Sequence, residues 1–175
     1  VAPMGAYGES KLSGEQQLQT ENPKHIILRT SWVFSKHGNN FVKTMLRVGA
    51  ERKELGVVGD QFGCPTYAAD IAETISTVIT TLEHEPAFSG WGLYNCSNVG
   101  ECSWHEFAEA IFVTAVETGL LDTAPTVNSI TTDQYPTPTA RPAYSVLDGS
   151  KLKTLLGESM PSWQIGLVQV CNALR

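Results

Sequence analysis

The sequence predicts an α/β fold. Strand and helix candidates alternate along most of the 175 residues, and the run Ile26-Ile27-Leu28 is apolar without alternation. Apolar residues also return at helical spacing after each break marked by Gly or Pro. A hydrophobic content of 42% is enough to bury a real core in a chain of this length.

The first expected element is a helix from about Gly5 to Thr20, weakly amphipathic, preceded by Pro3 and closed by Asn22-Pro23. Ile26 to Leu28 then reads as a strand buried on both faces, the habit of a parallel sheet covered by helices. Gly38-Asn39-Asn40 punctuates the chain. Phe41, Met45 and Val48 follow at helical spacing, before a short strand at Leu55 to Val58. Asp60 to Thr66 reads as a loop. Ile71, Ile75, Val78 and Leu82 mark one face of a long helix after it.

Leu93 to Cys96 makes another short strand, and Ser103-Trp-His-Glu106 has the form of a capping box that opens a helix running to Gly119. Val127 to Ile130 is a further strand. The stretch from Tyr135 to Pro142 excludes regular structure, because each proline removes a donor and restrains its predecessor. Two short helices finish the chain, one with Leu152, Leu155 and Leu156 ending at Gly157, the other with Trp163, Leu167, Cys171 and Leu174 on one side. Only the Ile26 strand reads as doubly buried, while the others look like a small second sheet. If Ile26 to Leu28 belongs to a large parallel sheet, most of that sheet is expected upstream of Val1, which is not a methionine and reads as a cut point.

Eighteen acidic against twelve basic residues give a net charge of -6 with no basic run, which argues against nucleic acid as a partner. Nothing approaches the roughly 20 apolar residues of a membrane span. Cys64, Cys96, Cys102 and Cys171 form no Cys-x-x-Cys pair and read as free thiols in a reducing cytoplasm. The four histidines show no ligand spacing, so no metal site is expected from them.

Tyr7 and Lys11 stand four apart on the first helix, so both project from one face. A tyrosine hydroxyl normally titrates near ~10, and a nearby ammonium favours its ionised form, which suits it to acid–base work. The bare Tyr-x-x-x-Lys pattern is also compatible with an exposed helix carrying a solvated lysine.

The string Pro3-Met-Gly-Ala-Tyr7-Gly8-Glu-Ser10-Lys11-Leu-Ser-Gly14-Glu15 resembles the active-site helix of extended short-chain dehydrogenases. Downstream, Arg29-Thr-Ser-Trp-Val-Phe34, Gly38-Asn-Asn-Phe41, Asp60-Gln-Phe-Gly-Cys-Pro-Thr66, and Tyr135-Pro-Thr-Pro with Arg141-Pro142 resemble, in order, the signatures of the dTDP-4-dehydrorhamnose reductase family. The resemblance implies the last helix and strand of a Rossmann-type parallel sheet in residues 1–34, followed by a small α/β substrate-binding domain in 35–175. The helix at 67–83 is then expected to pack back on the nucleotide-binding part.

The implied activity is reduction of dTDP-4-dehydro-L-rhamnose to dTDP-L-rhamnose, a cell-surface sugar donor, with NADPH or NADH as hydride source. Tyr7 would give the proton, and Lys11 would tune it and bind the cofactor's ribose. Trp32 matches the family's tryptophan beside the sugar, although it could simply end a buried strand. Asn39 and Asn40 could bond the sugar or diphosphate, or cap a helix. Arg141 could clamp the diphosphate or make a surface ion pair. Gln61 and Phe62 are weaker candidates for the nucleotide end. The resemblance leaves a homodimer and a role for Mg2+ open. Two other functions also stay open: a noncatalytic relative that binds and regulates, and another sugar-nucleotide reductase or epimerase.

The pattern departs from the family in one respect. No Gly-x-x-Gly-x-x-Gly or Gly-x-Gly-x-x-Gly follows a strand in these residues, and the Ser/Thr-Thr-Asp segment of the family's active site is absent. The 175 residues are therefore expected to hold no dinucleotide alone. Residues 1–34 are expected to be poorly anchored, or rearranged through contact with another copy, and residues from about 38 onward to form the stable body.

Overall fold

The computed structural model describes Pro3, residues 5–137, Thr139 and residues 141–175. Val1, Ala2 and Met4, and Pro138 and Ala140 of the proline-rich stretch, lie outside the described residues. Strand and helix alternate as expected: α1 (Gly5–Glu21), β1 (Ile26–Arg29), β2 (Val33–Phe34), α2 (Phe41–Glu51), β3 (Glu54–Val58), β4 (Phe62–Gly63), β5 (Thr66–Tyr67) and α3 (Ala68–His84). Then come β6 (Gly92–Asn95), β7 (Cys102–Ser103), α4 (Trp104–Glu117), β8 (Thr126–Ile130), α5 (Ser150–Leu156) and α6 (Trp163–Leu174). None of the described helices is long and apolar enough to cross a membrane.

The strands pair two by two. β1 runs parallel to β6, β2 to β5 and β3 to β8, while β4 and β7 are antiparallel. This fixes the α/β class and corrects three sequence expectations. β6, read as part of a small second sheet, pairs instead with β1, Ile27 opposite Leu93 and Leu28 opposite Tyr94. β1 itself is half-buried along its length, because β6 is its one pairing partner among the described residues. The Asp60–Thr66 loop contains two two-residue strands, since its ends meet β7 and β2.

The larger core is built around α4. Its capping box forms as the sequence predicts: the Ser103 hydroxyl accepts from the Glu106 N–H, and the Glu106 carboxylate accepts from the Ser103 N–H at 2.6 Å. Those hydrogen bonds hold the Glu106 carboxyl below its ordinary value. The helix then turns Phe107, Ala108, Ile111, Phe112 and Ala115 inward. Phe34, Val42, Met45, Val57, Trp163 and Leu167 pack into the same cluster. A smaller cluster of Tyr94, Cys96, Leu152 and Met160 receives Ile26 and Leu28 from β1 and Ile71 from α3.

Asn98, wholly buried, links the two clusters. Its side chain accepts from the Tyr67 N–H at 2.7 Å and donates to the Asp70 carboxylate at 2.6 Å and the Pro161 carbonyl at 2.9 Å.

α3 has its expected span but a shifted buried face. Thr74 and Val78 are buried, while Ile75 is 45% exposed. Residues 71, 74 and 78 form one strip at i, i+3, i+7, and Ile75 lies on its edge. α1 contrasts with both core helices: none of its side chains is buried. It is tied to β1 by a two-pronged ion pair in which Arg29 Nε and Nη2 donate to the Glu15 carboxylate at 2.8 and 2.5 Å.

Candidate functional site

Trp32 occupies the joint between β1 and β2 with φ of 47°, the one non-glycine in the left-handed region among the described residues. That conformation costs roughly 1–2 kcal/mol for a residue with a side chain, so neighbouring groups must hold it. The Thr66 N–H donates to the Trp32 carbonyl at 3.2 Å, and the Ser31 hydroxyl donates to the Cys64 carbonyl at 2.9 Å. The Trp32 indole lies flat on that of Trp104, with centroids 3.5 Å apart and planes 10° from parallel. Such a stack contributes about 0.5–1.5 kcal/mol beyond its buried area, comparable to the backbone strain. Glycine is required at position 63, where a Cβ would overlap the Trp32 ring.

Trp104 continues the aromatic series inward. Phe41 tilts against it at 4.6 Å, Phe41 stacks on Phe107 at 5.6 Å, and Phe107 meets the edge of Trp163 at 5.3 Å. Being the first residue of α4, Trp104 is mounted by the Ser103–Glu106 capping box.

Trp104 also lines a cavity of about 280 Å³ between α2, β3 and the proline-rich strap. Phe41, Met45, Val57 and Val58 give it apolar walls, and Gln61, Tyr135 and Arg141 supply polar groups. Gln61 is buried and donates to the Thr132 hydroxyl at 3.0 Å. Beside it, the exposed Asp60 carboxylate accepts from the Thr132 N–H and hydroxyl at 3.0 and 2.7 Å, which holds it below the usual carboxylate range. The strap is tied again where the Phe62 N–H donates to the Ala143 carbonyl and the Ser145 N–H to the Phe62 carbonyl. Arg141 is thus exposed at the rim of the cavity on a strap fastened on both sides.

Asn40 caps α2: its side chain accepts from the Lys43 N–H at 3.2 Å and donates to the Ser35 carbonyl at 2.7 Å. Asn39 stands exposed next to it. Tyr7 and Lys11 share a face of α1 as their spacing requires, with the ammonium 5.5 Å from the ring centroid and Tyr7 77% exposed. They do not line the cavity that gathers Gln61 and Arg141. All four cysteines are free and buried, and burial pushes Cys102 up to about 12 and Cys171 up to about 11.

The aromatic platform and the fastened strap are therefore one connected site, with Tyr7 and Lys11 apart from it. Sequence reasoning missed Trp104, whose place after a capping serine reads only as a helix start. It also missed Thr132, 72 residues from the Asp60 it clamps.

The family model described as the RmlD substrate binding domain matches residues 1–175. The chain belongs to that family. Its RmlD-type sequence is 44% identical over 170 residues to the dTDP-4-dehydrorhamnose reductase of Aggregatibacter actinomycetemcomitans, covering 97% of this chain and 58% of that relative. It is 40% identical over 174 residues to the enzyme of the same name from Shigella flexneri, covering 99% and 58%. A crystal structure of dTDP-4-dehydrorhamnose reductase from Bacillus anthracis in complex with NADP superimposes with a TM-score of 0.84 at 40% identity, covering 99% of this chain and 57% of that one. The RmlD-type chain thus spans 58% of the length of these curated relatives.

Proposed function

We propose that this chain is the sugar-nucleotide-binding part of a dTDP-4-dehydrorhamnose reductase, in which dTDP-4-dehydro-L-rhamnose is reduced at its 4-keto group. The carrying observation is the cavity beside the Trp32–Trp104 stack, apolar and aromatic inside, with buried Gln61 in its wall and exposed Arg141 at its rim. Its walls suit a pyrimidine base and its rim suits a diphosphate. Arg141, fixed by the strap, clamps the diphosphate through its planar fork. Gln61 lies at the nucleotide end, with Phe62 shaping the strap contact. Trp32 offers its indole to the deoxyhexose. Asn39 contacts the sugar or diphosphate from a turn that Asn40 holds in shape.

Tyr7 donates the proton that the carbonyl oxygen takes up, and Lys11 favours the resulting phenolate by its charge. NADPH or NADH supplies the hydride when bound. The side-by-side, exposed placement of Tyr7 and Lys11 fits the nicotinamide end of such a cofactor. These 175 residues contain no glycine-rich turn of the kind that receives its pyrophosphate. We place residues 1–34 with the dinucleotide-binding part and 35–175 mainly with the substrate. The contact of Ile71 with the cluster that receives β1 supports α3 packing back on the former.

Calorimetric titration tests this reading. The chain is expected to bind dTDP-rhamnose and not NADPH, and Arg141→Met should weaken dTDP-rhamnose about 10- to 100-fold, the range of a lost charge-assisted hydrogen bond. Unaltered affinity in that variant, or binding of NADPH alone, would overturn it.

A further inference from the structure

We propose that Gln61 reads the base of the nucleotide: its side-chain amide presents a fixed acceptor to the cavity and selects a pyrimidine that carries a hydrogen on N3, thymine or uracil, over cytosine. This deepens the functional reading above and rests on it, since there the same cavity takes the pyrimidine nucleotide.

The two ends of a primary amide are nearly alike in shape and opposite in chemistry, so a glutamine discriminates between bases only if something decides which end faces the ligand. Here Thr132 decides it. The Asp60 carboxylate accepts from the Thr132 N–H at 3.0 Å and from the Thr132 hydroxyl at 2.7 Å. An ionised carboxylate has no proton to give, so the one hydroxyl proton of Thr132 is committed to Asp60. Toward Gln61 the same oxygen can only accept, and it accepts from Gln61 Nε2 at 3.0 Å. The series Asp60, Thr132, Gln61 therefore turns the nitrogen end of the amide to Thr132 and leaves Oε1 free of it.

Gln61 is only 7% exposed and stands in the cavity wall. Its Oε1 accepts no hydrogen bond from the described residues. Among those residues the one buried polar side-chain atom that is both sealed from solvent and unpartnered is the Trp163 indole nitrogen, so Oε1 is not sealed. The space that Gln61 lines is this cavity, and its other walls include Phe41, Met45, Val57 and Val58, none of which offers a side-chain donor. An acceptor left open among apolar walls is best satisfied by a donor on the ligand.

Thymine and uracil supply that donor as N3–H. Cytosine carries no hydrogen on N3 at neutral pH, so its N3 lone pair would face Oε1 and both acceptors would go unpaired. Discrimination of this kind comes from the misfit as much as from the fit. The 5-methyl group of thymine adds only apolar contact.

Calorimetry with dTDP, dUDP and dCDP in the 175-residue chain tests the role, because the three ligands share sugar and diphosphate and differ at the base alone. dTDP and dUDP are expected to bind within about fivefold of each other, the effect of one buried methyl. dCDP should bind about 10- to 100-fold more weakly than dTDP. Gln61→Met keeps the length of the side chain and removes the acceptor, so it should bring the ratio of dTDP to dCDP affinity to roughly one by weakening dTDP. Thr132→Val keeps the shape of the anchor and frees the amide to turn over. It should narrow the ratio by strengthening dCDP, a gain that loosening of the fold alone does not give. Equal affinity for dTDP and dCDP in the wild-type chain, a comparison that needs no variant, would overturn the base-reading role while leaving the sugar-nucleotide reading in place. So would a ratio kept in either variant. A wild-type chain that binds neither dTDP nor dTDP-rhamnose would overturn the functional reading itself, and this role with it.

Discussion

α1 and α4 are helices of similar length, 17 and 14 residues, yet α1 buries no side chain and α4 buries six. α4 stands at the centre of the larger core and presents Trp104 to the site. α1 carries the Tyr7–Lys11 pair on an exposed face and is fastened to β1 by the Arg29–Glu15 ion pair. Within these residues, Trp104 and the cavity walls sit on packed structure, whereas the pair proposed to transfer the proton sits on a helix that this part of the protein covers only partly.

The comparison can be broken at its core first. Phe107→Ala, at a fully buried ring, should lower unfolding stability by about 3–5 kcal/mol in a urea titration. Leu12→Ala, on the half-buried strip of α1, should cost under ~1 kcal/mol. Equal losses at the two positions would remove the contrast.

Smaller changes sharpen it. Ser103→Ala removes the hydroxyl that caps α4 and should cost about 1 kcal/mol, read as a lowered urea midpoint. It should also loosen the Trp32–Trp104 stack, since Trp104 is the next residue.

Acid should act on α1 locally. The Arg29 hydrogen bonds hold the Glu15 carboxyl below its ordinary value, against the opposing effect of burial. A carboxyl depressed in the folded state adds stability that is full above its unfolded value near ~4.3 and is lost as pH falls through the folded value. Amide exchange in residues 5–21, corrected for intrinsic rate, should therefore accelerate on acidification before exchange in residues 104–117 does. Arg29→Met should reproduce that acceleration at neutral pH.

The smallest expected effect is at the cysteines. Burial and the raised thiol values of Cys102 and Cys171 predict no labelling of either by a thiol reagent at neutral pH until the body unfolds.

What the sequence discloses is mostly local. The Ser103–Glu106 box, the end of α5 at Gly157 with φ of 83°, and the spans of α2 and α3 follow from caps and periodicity within a few residues. Pairings across long separations were not legible. β6 joins β1 across more than sixty residues, and nothing in Leu93-Tyr94-Asn95 alone distinguishes that partner from β3 or β8. The choice of Thr74 over Ile75 as a buried residue depends on which strip of α3 meets the body, which the helix's own apolar pattern leaves open. Tyr7, Lys11, Trp32 and Arg141 were named from motif resemblance. Trp104 and Gly63, which confine Trp32, and Thr132, which holds Asp60 and Gln61, act through contacts that periodicity does not encode.

Hydrogen exchange with and without dTDP-rhamnose tests the division between binding body and catalytic flank most directly. Slower exchange is expected in peptides spanning 54–63 and 131–145, which contribute Val57, Gln61, Tyr135 and Arg141 to the cavity, with residues 5–21 unchanged. Protection concentrated in residues 5–21, with 54–63 and 131–145 unaffected, would contradict the account.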